Sequence, residues 1–227
     1  MYSFDEEQVV KGLRLCLENA DRLVQEAEIL RAAGHLERAL SLSVLALEEL
    51  GKLVCINGLA LSLASQSRGE DSFNYVRRTH QAKLSALYSY PLVIFQFAGL
   101  DERLLGNEEN TGKVNNLVQH FYRNLERLEP WIGGVGNLEK LNQWKQWGLY
   151  VDFDDEDGFT APSGFAPEMV AAVKDLAGQI VGGFNYILPP NLDRYREAIK
   201  AIRKTVTPEQ FNEIRNWIIQ EIKDSRS

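Results

Sequence analysis

The segment from Leu36 to Leu63 constrains this chain more than any other. Almost all of it is Leu, Ala, Val, Ile and Ser, and in its middle stands Ala46-Leu47-Glu48-Glu49-Leu50-Gly51-Lys52. A helix that is apolar nearly all round is a central, buried one. Charges in such a helix carry a desolvation cost unless they are paired or hydrogen-bonded. Glu48 and Lys52 stand four residues apart, the favourable orientation for an intrahelical pair. Glu49 points about 100° away by the ordinary helix period and needs another partner. One buried helix therefore presents charge in two directions, either as a structural polar network or as the floor of an active site.

A membrane-spanning reading of the same segment fails. Glu37, Arg38, Glu48, Glu49, Lys52 and Asn57 interrupt it, and no clean run of about 18 to 20 apolar residues is left. With 227 residues, 44% apolar and 25% charged, the chain suits one sizeable globular domain with room for an appended subdomain. The net charge of −7 argues against a broad basic surface that binds nucleic acid non-specifically, though not against a local basic site. Cys16 and Cys55 both fall in apolar helical patterns and read as reduced core residues of an intracellular protein. The N-terminus, Met1-Tyr-Ser-Phe-Asp-Glu-Glu, is acidic and lacks an apolar core, so no signal peptide is expected. The expectation is a soluble, cytoplasmic protein with no membrane partner.

Helical periodicity organises the rest. Ser3 is the expected N-cap of a first helix that carries Asp5, Glu6 and Glu7 in its first turn and ends at Gly34. A second helix, about His35 to Ser65, forms an antiparallel hairpin with it. A third begins near Asp71 or Ser72, carries Phe73, Val76, His80, Leu84 and Leu87, and is kinked or ended by Pro91. Leu92 to Phe97 is apolar and expected to be buried. After a polar loop from Leu100 to Gly112, a fourth helix runs from Val114 to Leu128 and stops before Pro130. Leu138 to Trp147 forms a short amphipathic helix, followed by an extended stretch from Gly148 to Phe153 and an acidic loop from Asp154 to Pro162. A helix from Pro167 ends around Gly182-Gly183. Pro189-Pro190 forces a break before two last helices, Leu192 to Lys204 and Pro208 to Asp224, the latter with capping-box spacing between Thr207 and Gln210. The fold class is all-α, a helical bundle with a C-terminal two-helix extension. Residues 1–165 form the main domain and 166–227 an extension packed on the same core.

Three histidines are candidates for proton transfer. His35 stands at a helix start and is expected to be solvated; His120 is expected inside or at an interface. His80 lies in Arg77-Arg78-Thr79-His80-Gln81-Ala82-Lys83, where Arg77, His80 and Lys83 or Leu84 are expected to share a helix face. Fixed cations beside an imidazole favour its neutral form, a base with cations at hand for a phosphate. A solvated basic face is the equally weighted alternative. Lys145, between Trp144 and Trp147 and followed by Tyr150 and Asp152, suits base stacking or, more often, core packing. The acidic run Asp154-Asp-Glu-Asp-Gly lacks the alternating ligands and distal Glu of a calcium loop. No zinc, nucleotide-loop or hydrolase motif is present, so neither a metal nor a cofactor is expected.

Three of these segments taken together, Leu45-Ala-Leu-Glu-Glu-Leu-Gly-Lys52, His80-Gln-Ala-Lys83, and Lys145 with Gly148-Leu-Tyr-Val-Asp-Phe153, resemble the AbiV-type abortive infection proteins, a bacterial anti-phage family of the HEPN superfamily. Glu18-Asn19-Ala20 and Arg22-Leu23 resemble that family's first helix. The resemblance covers about residues 10 to 165. It implies a HEPN-like helical domain, commonly dimeric, and many HEPN proteins are metal-independent endoribonucleases. Their usual signature, an Arg followed by four to six residues and a His, is missing. Arg77 and Arg78 are too close to His80, Arg31 is only four before His35, and no Arg has the right offset from His120.

Two functions follow as expectations. In the first, the chain is an endoribonuclease toxin: His80, Lys83, Glu48, Glu49 and Lys145 form the catalytic set, and Arg77, Lys52, Tyr150 and Asp152 contact RNA. His80 serves as base or acid, cations hold the phosphate, and a glutamate orients the imidazole or a lysine. In the second, the same charges form a buried network in a non-catalytic protein that blocks translation through a partner or senses a phage protein. A phage-encoded activator and a homodimer are partners of the first reading. The charge cost of a mid-helix carboxylate predicts that Glu48 or Glu49 reaches at least one of His80, Lys83 and Lys145.

Overall fold

The computed structural model describes residues 5–64, 79–100, 108–134, 137–150, 152–154, 158–160 and 164–205. Helix α1, Glu6–Ala32, starts from Asp5, whose carboxylate accepts the Gln8 amide proton at 2.8 Å while the Gln8 side chain accepts the Asp5 amide proton at 3.2 Å. This reciprocal capping box makes Asp5, not Ser3, the N-cap; Ser3 lies outside the described residues. Gly34, at φ 84°, turns the chain into α2, Leu36–Ala64, in the left-handed region that only glycine adopts at no steric cost.

Helix α2 is the axis of the bundle. Leu40, Val44, Ala46, Leu47, Leu50 and Leu53 are fully or almost fully buried, as its all-round apolar sequence requires. The expected helix through Phe73 and His80 does not form as one piece. Thr79 is extended, at φ −111° and ψ 114°, and α3 begins at His80 and runs only to Ala86. Arg77, expected on one face with His80, lies outside the described residues. A 3-10 turn, Leu87–Ser89, leads into α4, Tyr90–Gly99. Pro91 sits in the first turn of α4, where its missing N–H costs nothing; it starts a helix instead of ending one. Val93, Ile94 and Phe97 are buried as expected, but Phe95 faces out.

Helix α5, Glu108–Ile132, is longer than its sequence suggested and carries Pro130 within it. Proline removes one ladder bond, here to the exposed Glu126 carbonyl end of the helix, and the Gly133 amide still donates to the Glu129 carbonyl at 2.9 Å. His120, expected inside or at an interface, is not inside: it lies on the exposed side of α5, and His35 is exposed just before α2, as expected. A 3-10 turn, Leu138–Lys140, precedes α6, Leu141–Leu149. The helix therefore takes in Gly148 and Leu149, and the extended chain begins only afterwards. Strands β1, Asp152–Asp154, and β2, Gly158–Thr160, pair antiparallel with Phe153 opposite Phe159. Among the described residues these two three-residue strands are the only β-structure; every other element is helical.

Helix α7, Pro167–Ile187, runs straight through Gly182-Gly183. Gly183 is a packing residue: a Cβ there would fall 2.0 Å from the Tyr90 hydroxyl. Val170, Val173, Leu176, Ala177, Ile180 and Phe184 join one hydrophobic core with α1, α2, α4 and α5. After a 3-10 turn, Pro189–Asn191, α8 spans Leu192–Thr205. The Tyr195 hydroxyl donates to Asn57 Oδ1 at 2.5 Å and Asn57 Nδ2 donates to Gln96 Oε1 at 2.8 Å, tying α8 to α2 and α4. The last expected helix, from Pro208, lies outside the described residues. No helix among those described is long and apolar enough to cross a membrane.

Candidate functional site

Two close helix approaches build the site, and both depend on glycine. Where α3 crosses α2, a Cβ on Gly51 would lie 1.9 Å from the Lys83 carbonyl oxygen. Where α6 crosses α2, a Cβ on Gly148 would lie 2.4 Å from Ser41 Oγ and 2.5 Å from the Glu37 carbonyl oxygen. The Ser41 hydroxyl seals the second crossing, 2.9 Å from the Glu37 carbonyl and 3.1 Å from the Lys145 carbonyl. Neither approach was read from the sequence. Its one signal is a glycine inside a helix, which costs about 1 kcal/mol relative to alanine and so asks for a packing reason.

These crossings bring Lys145 and His80 onto Glu48 from opposite sides. Lys145 Nζ donates to Glu48 Oε1 at 2.5 Å, and His80 Nδ1 lies 2.6 Å from Glu48 Oε2. Lys145 Nζ is also 3.1 Å from His80 Nδ1. The Glu48 and Lys145 side chains are 4% and 7% exposed, whereas the His80 ring is 48% exposed. A carboxylate oxygen at 2.6 Å places the proton on Nδ1, because two lone pairs at that distance repel. In the neutral ring Nε2 then carries the free lone pair. Glu48 thus reaches His80 and Lys145, where at least one of His80, Lys83 and Lys145 was expected for Glu48 or Glu49.

The intrahelical pair differs from expectation. Lys52 binds Glu49, three residues back, and not Glu48, because Glu48 is held by α3 and α6. Glu49 also accepts a hydrogen bond from Cys16 on α1. Burial first, and then Glu49, push the Cys16 thiol up to about 11; burial pushes Cys55 up to about 12. Both cysteines are free, and as protonated thiols they are poor nucleophiles.

Lys83 is 5% exposed, and among the described residues no carboxylate pairs with it. Burial lowers the affinity of its amine for a proton, the nearby Lys52 lowers it further, Glu48 and Glu49 oppose this, and Lys145 adds to it. Below its folded pKa the amine is charged in both states, and the folded protein carries the full penalty. Between that lowered value and the ordinary 10.5 the unfolded chain binds more protons, so stability rises with pH. Lys83→Met is therefore expected to stabilise the fold at pH 7 by on the order of 1 kcal/mol. Urea titrations from pH 7 to pH 10 are expected to show that gain shrinking as pH rises.

Tyr150 and Asp152, expected at the RNA, lie beyond the last helical turn of α6. Tyr150 caps the end of α6 and is 65% exposed. Asp152 enters β1 opposite Thr160. Trp144 is buried while Trp147 is exposed, so packing accounts for the first aromatic and not for the second. Among the described residues no group of three or more His, Cys, Asp or Glu side chains converges as a metal-binding set.

Residues 8–181 match the family model described as AbiV, a HEPN family. The matched stretch contains Glu48, His80 and Lys145 and extends past residue 165 into most of α7. No curated protein and no solved structure matches the chain. With well over half of its length matched, the chain belongs to the AbiV family of HEPN-type abortive-infection proteins.

Proposed function

We propose that this abortive-infection protein is an endoribonuclease toxin that shuts down translation and uses His80 for proton transfer. The observation that carries the reading is a half-exposed imidazole anchored at Nδ1 to a buried carboxylate. That arrangement fixes ring orientation and tautomer and leaves Nε2 of a half-exposed ring as the acceptor. The RNA 2′-hydroxyl gives its proton to Nε2 as its oxygen attacks the adjacent phosphorus. The bond from phosphorus to the 5′-oxygen breaks, and the leaving oxygen takes the proton back from the imidazolium. The products are a 2′,3′-cyclic phosphate and a 5′-hydroxyl. A cation near the ring would favour the charge that builds on the phosphoryl oxygens; Lys52, whose side chain is 30% exposed, is the residue proposed for this, since Lys83 is buried.

His80→Ala is expected to reduce RNA cleavage at least about 100-fold, the usual contribution of a positioned acid–base group, with little change in unfolding temperature. EDTA is expected to leave the rate unchanged. Full toxicity of His80→Ala in bacteria would favour the second reading, a non-catalytic binding protein. The sealed Glu48–Lys145 pair supports that alternative, since such a pair also serves as plain structure.

Two partners belong to the same proposal. A homodimer is supported by Phe95, Trp131 and Trp147, large aromatics left exposed. Light scattering is expected to give twice the chain mass of 25.7 kDa, and a value near one chain would count against it. A phage-encoded activator would show as toxicity that appears only on co-expression with a phage protein.

A further inference from the structure

We infer that Lys145 is a positioning residue that keeps His80 a reversible proton carrier by offsetting the charge of Glu48. A carboxylate alone beside an imidazole stabilises the imidazolium and tends to trap it as an ion pair. Here Glu48 already binds Lys145 through its other oxygen, at 2.5 Å, and the same ammonium stands 3.1 Å from His80 Nδ1. Lys145 therefore acts twice in one direction. It neutralises the anion that would hold the proton, and as a like charge it opposes the imidazolium directly. The geometry still lets Glu48 accept the Nδ1 proton, so orientation is kept while the charge bias is removed. Such a ring can give its proton up after taking it.

Other charges stand on the elements packed against α3. On α2, the element beneath His80, Glu49 is occupied by Lys52. On α3 itself, Lys83 is a further cation near both Glu48 and Lys145. The 3-10 turn packed on α3 offers Glu139 and Lys140, one of each sign. Lys145 is 7% exposed on its side chain and engaged by Glu48, which fits a fixed internal charge better than the substrate-phosphate contact expected from the sequence.

The inference concerns the site on which the ribonuclease reading rests, but its test reads the ring itself. Long-range proton–nitrogen NMR on histidine-labelled protein follows the protonation of His80 in each variant. Lys145→Met is expected to raise the pH at which His80 takes up its proton by about one unit or more, the scale of an opposed charge within a few ångströms. Lys145→Arg, which keeps the charge, is expected to leave it within a few tenths. If Lys145→Met does not fold, the double variant Glu48→Gln/Lys145→Met removes both charges and strands neither. It is expected to titrate close to the wild type, because the two influences cancel. A Lys145→Met protein that titrates like the wild type would overturn the inference. So would a double variant that titrates a full unit below it, since Glu48 would then have acted unopposed. The acid limb of the RNA-cleavage pH profile is expected to move with the NMR midpoint. If the midpoint moves but no variant, nor the wild type, cleaves RNA, the charge balance stands and the ribonuclease reading falls.

Discussion

Glu48→Ala is expected to lower the stability of the fold by about 3–5 kcal/mol, the usual consequence of removing one partner of a buried ion pair. The variant leaves the Lys145 ammonium in an apolar crossing between α2 and α6 with no carboxylate, and it frees His80 from its anchor. Little else nearby can replace the lost acceptor, because Glu49 is already engaged by Lys52 and Cys16. For a domain of this size, much of the total stability is at stake. Glu48→Ala/Lys145→Met is expected to recover a large part of the loss, since it removes the stranded charge along with its partner. Urea denaturation of the wild type, both single variants and the double variant measures this coupling directly. Additive losses would mean that the two side chains do not interact.

Gly51→Ala has the other large effect, of about 3 kcal/mol or more, at the upper end of what overpacking costs. The added methyl would sit 1.9 Å from the Lys83 carbonyl oxygen. Backbone, not a flexible side-chain end, has to move, so α3 must lift away from α2. The same displacement carries His80 off Glu48. The prediction therefore has a stability part, read by thermal unfolding, and a local part, read by loss of the Nδ1–H form of His80 in NMR. An alanine variant with unchanged stability and an unchanged ring would show that α3 is not seated as described. At Gly148 the clash is split between the Ser41 hydroxyl and the Glu37 carbonyl; the hydroxyl can turn away, so the cost there is smaller.

What was legible in the sequence follows from which forces act locally. Helix α2 was predictable to within a residue or two, because its apolar surface, its flanking Gly34 and its length leave no competing structure. Hairpin pairing of α1 with α2 follows from the short turn between them. A charged cluster on α2 was also legible, since the desolvation cost of Glu48 and Glu49 is a property of their own helix. Which glutamate meets which cation was not. That choice depends on where α3 and α6 cross α2, a tertiary matter settled by Gly51, Gly148 and Ser41. The break at Thr79 was missed for the same reason: residues 73–87 keep a helical period, but the seating of Lys83 over Gly51 fixes where helix begins. The sequence reading makes Pro91 a kink or an end and Pro130 a stop. Each lies where a helix tolerates proline, the first turn in one case and a solvent-facing last turn in the other. Gly182 and Gly183 were read as an end and serve close packing against Tyr90 instead.

The central claim is that a histidine oriented by Glu48 transfers the proton of an RNA 2′-hydroxyl. Its most direct test is product analysis with purified protein, any phage activator it needs, and an RNA oligonucleotide in which the nucleotide 5′ to the mapped cut carries either a 2′-hydroxyl or a 2′-O-methyl group. The account predicts a 2′,3′-cyclic phosphate and a 5′-hydroxyl from the first, no cut at that position in the second, and neither product from His80→Ala. Cleavage of the 2′-O-methyl substrate at the same bond, or products ending in a 5′-phosphate, would contradict it.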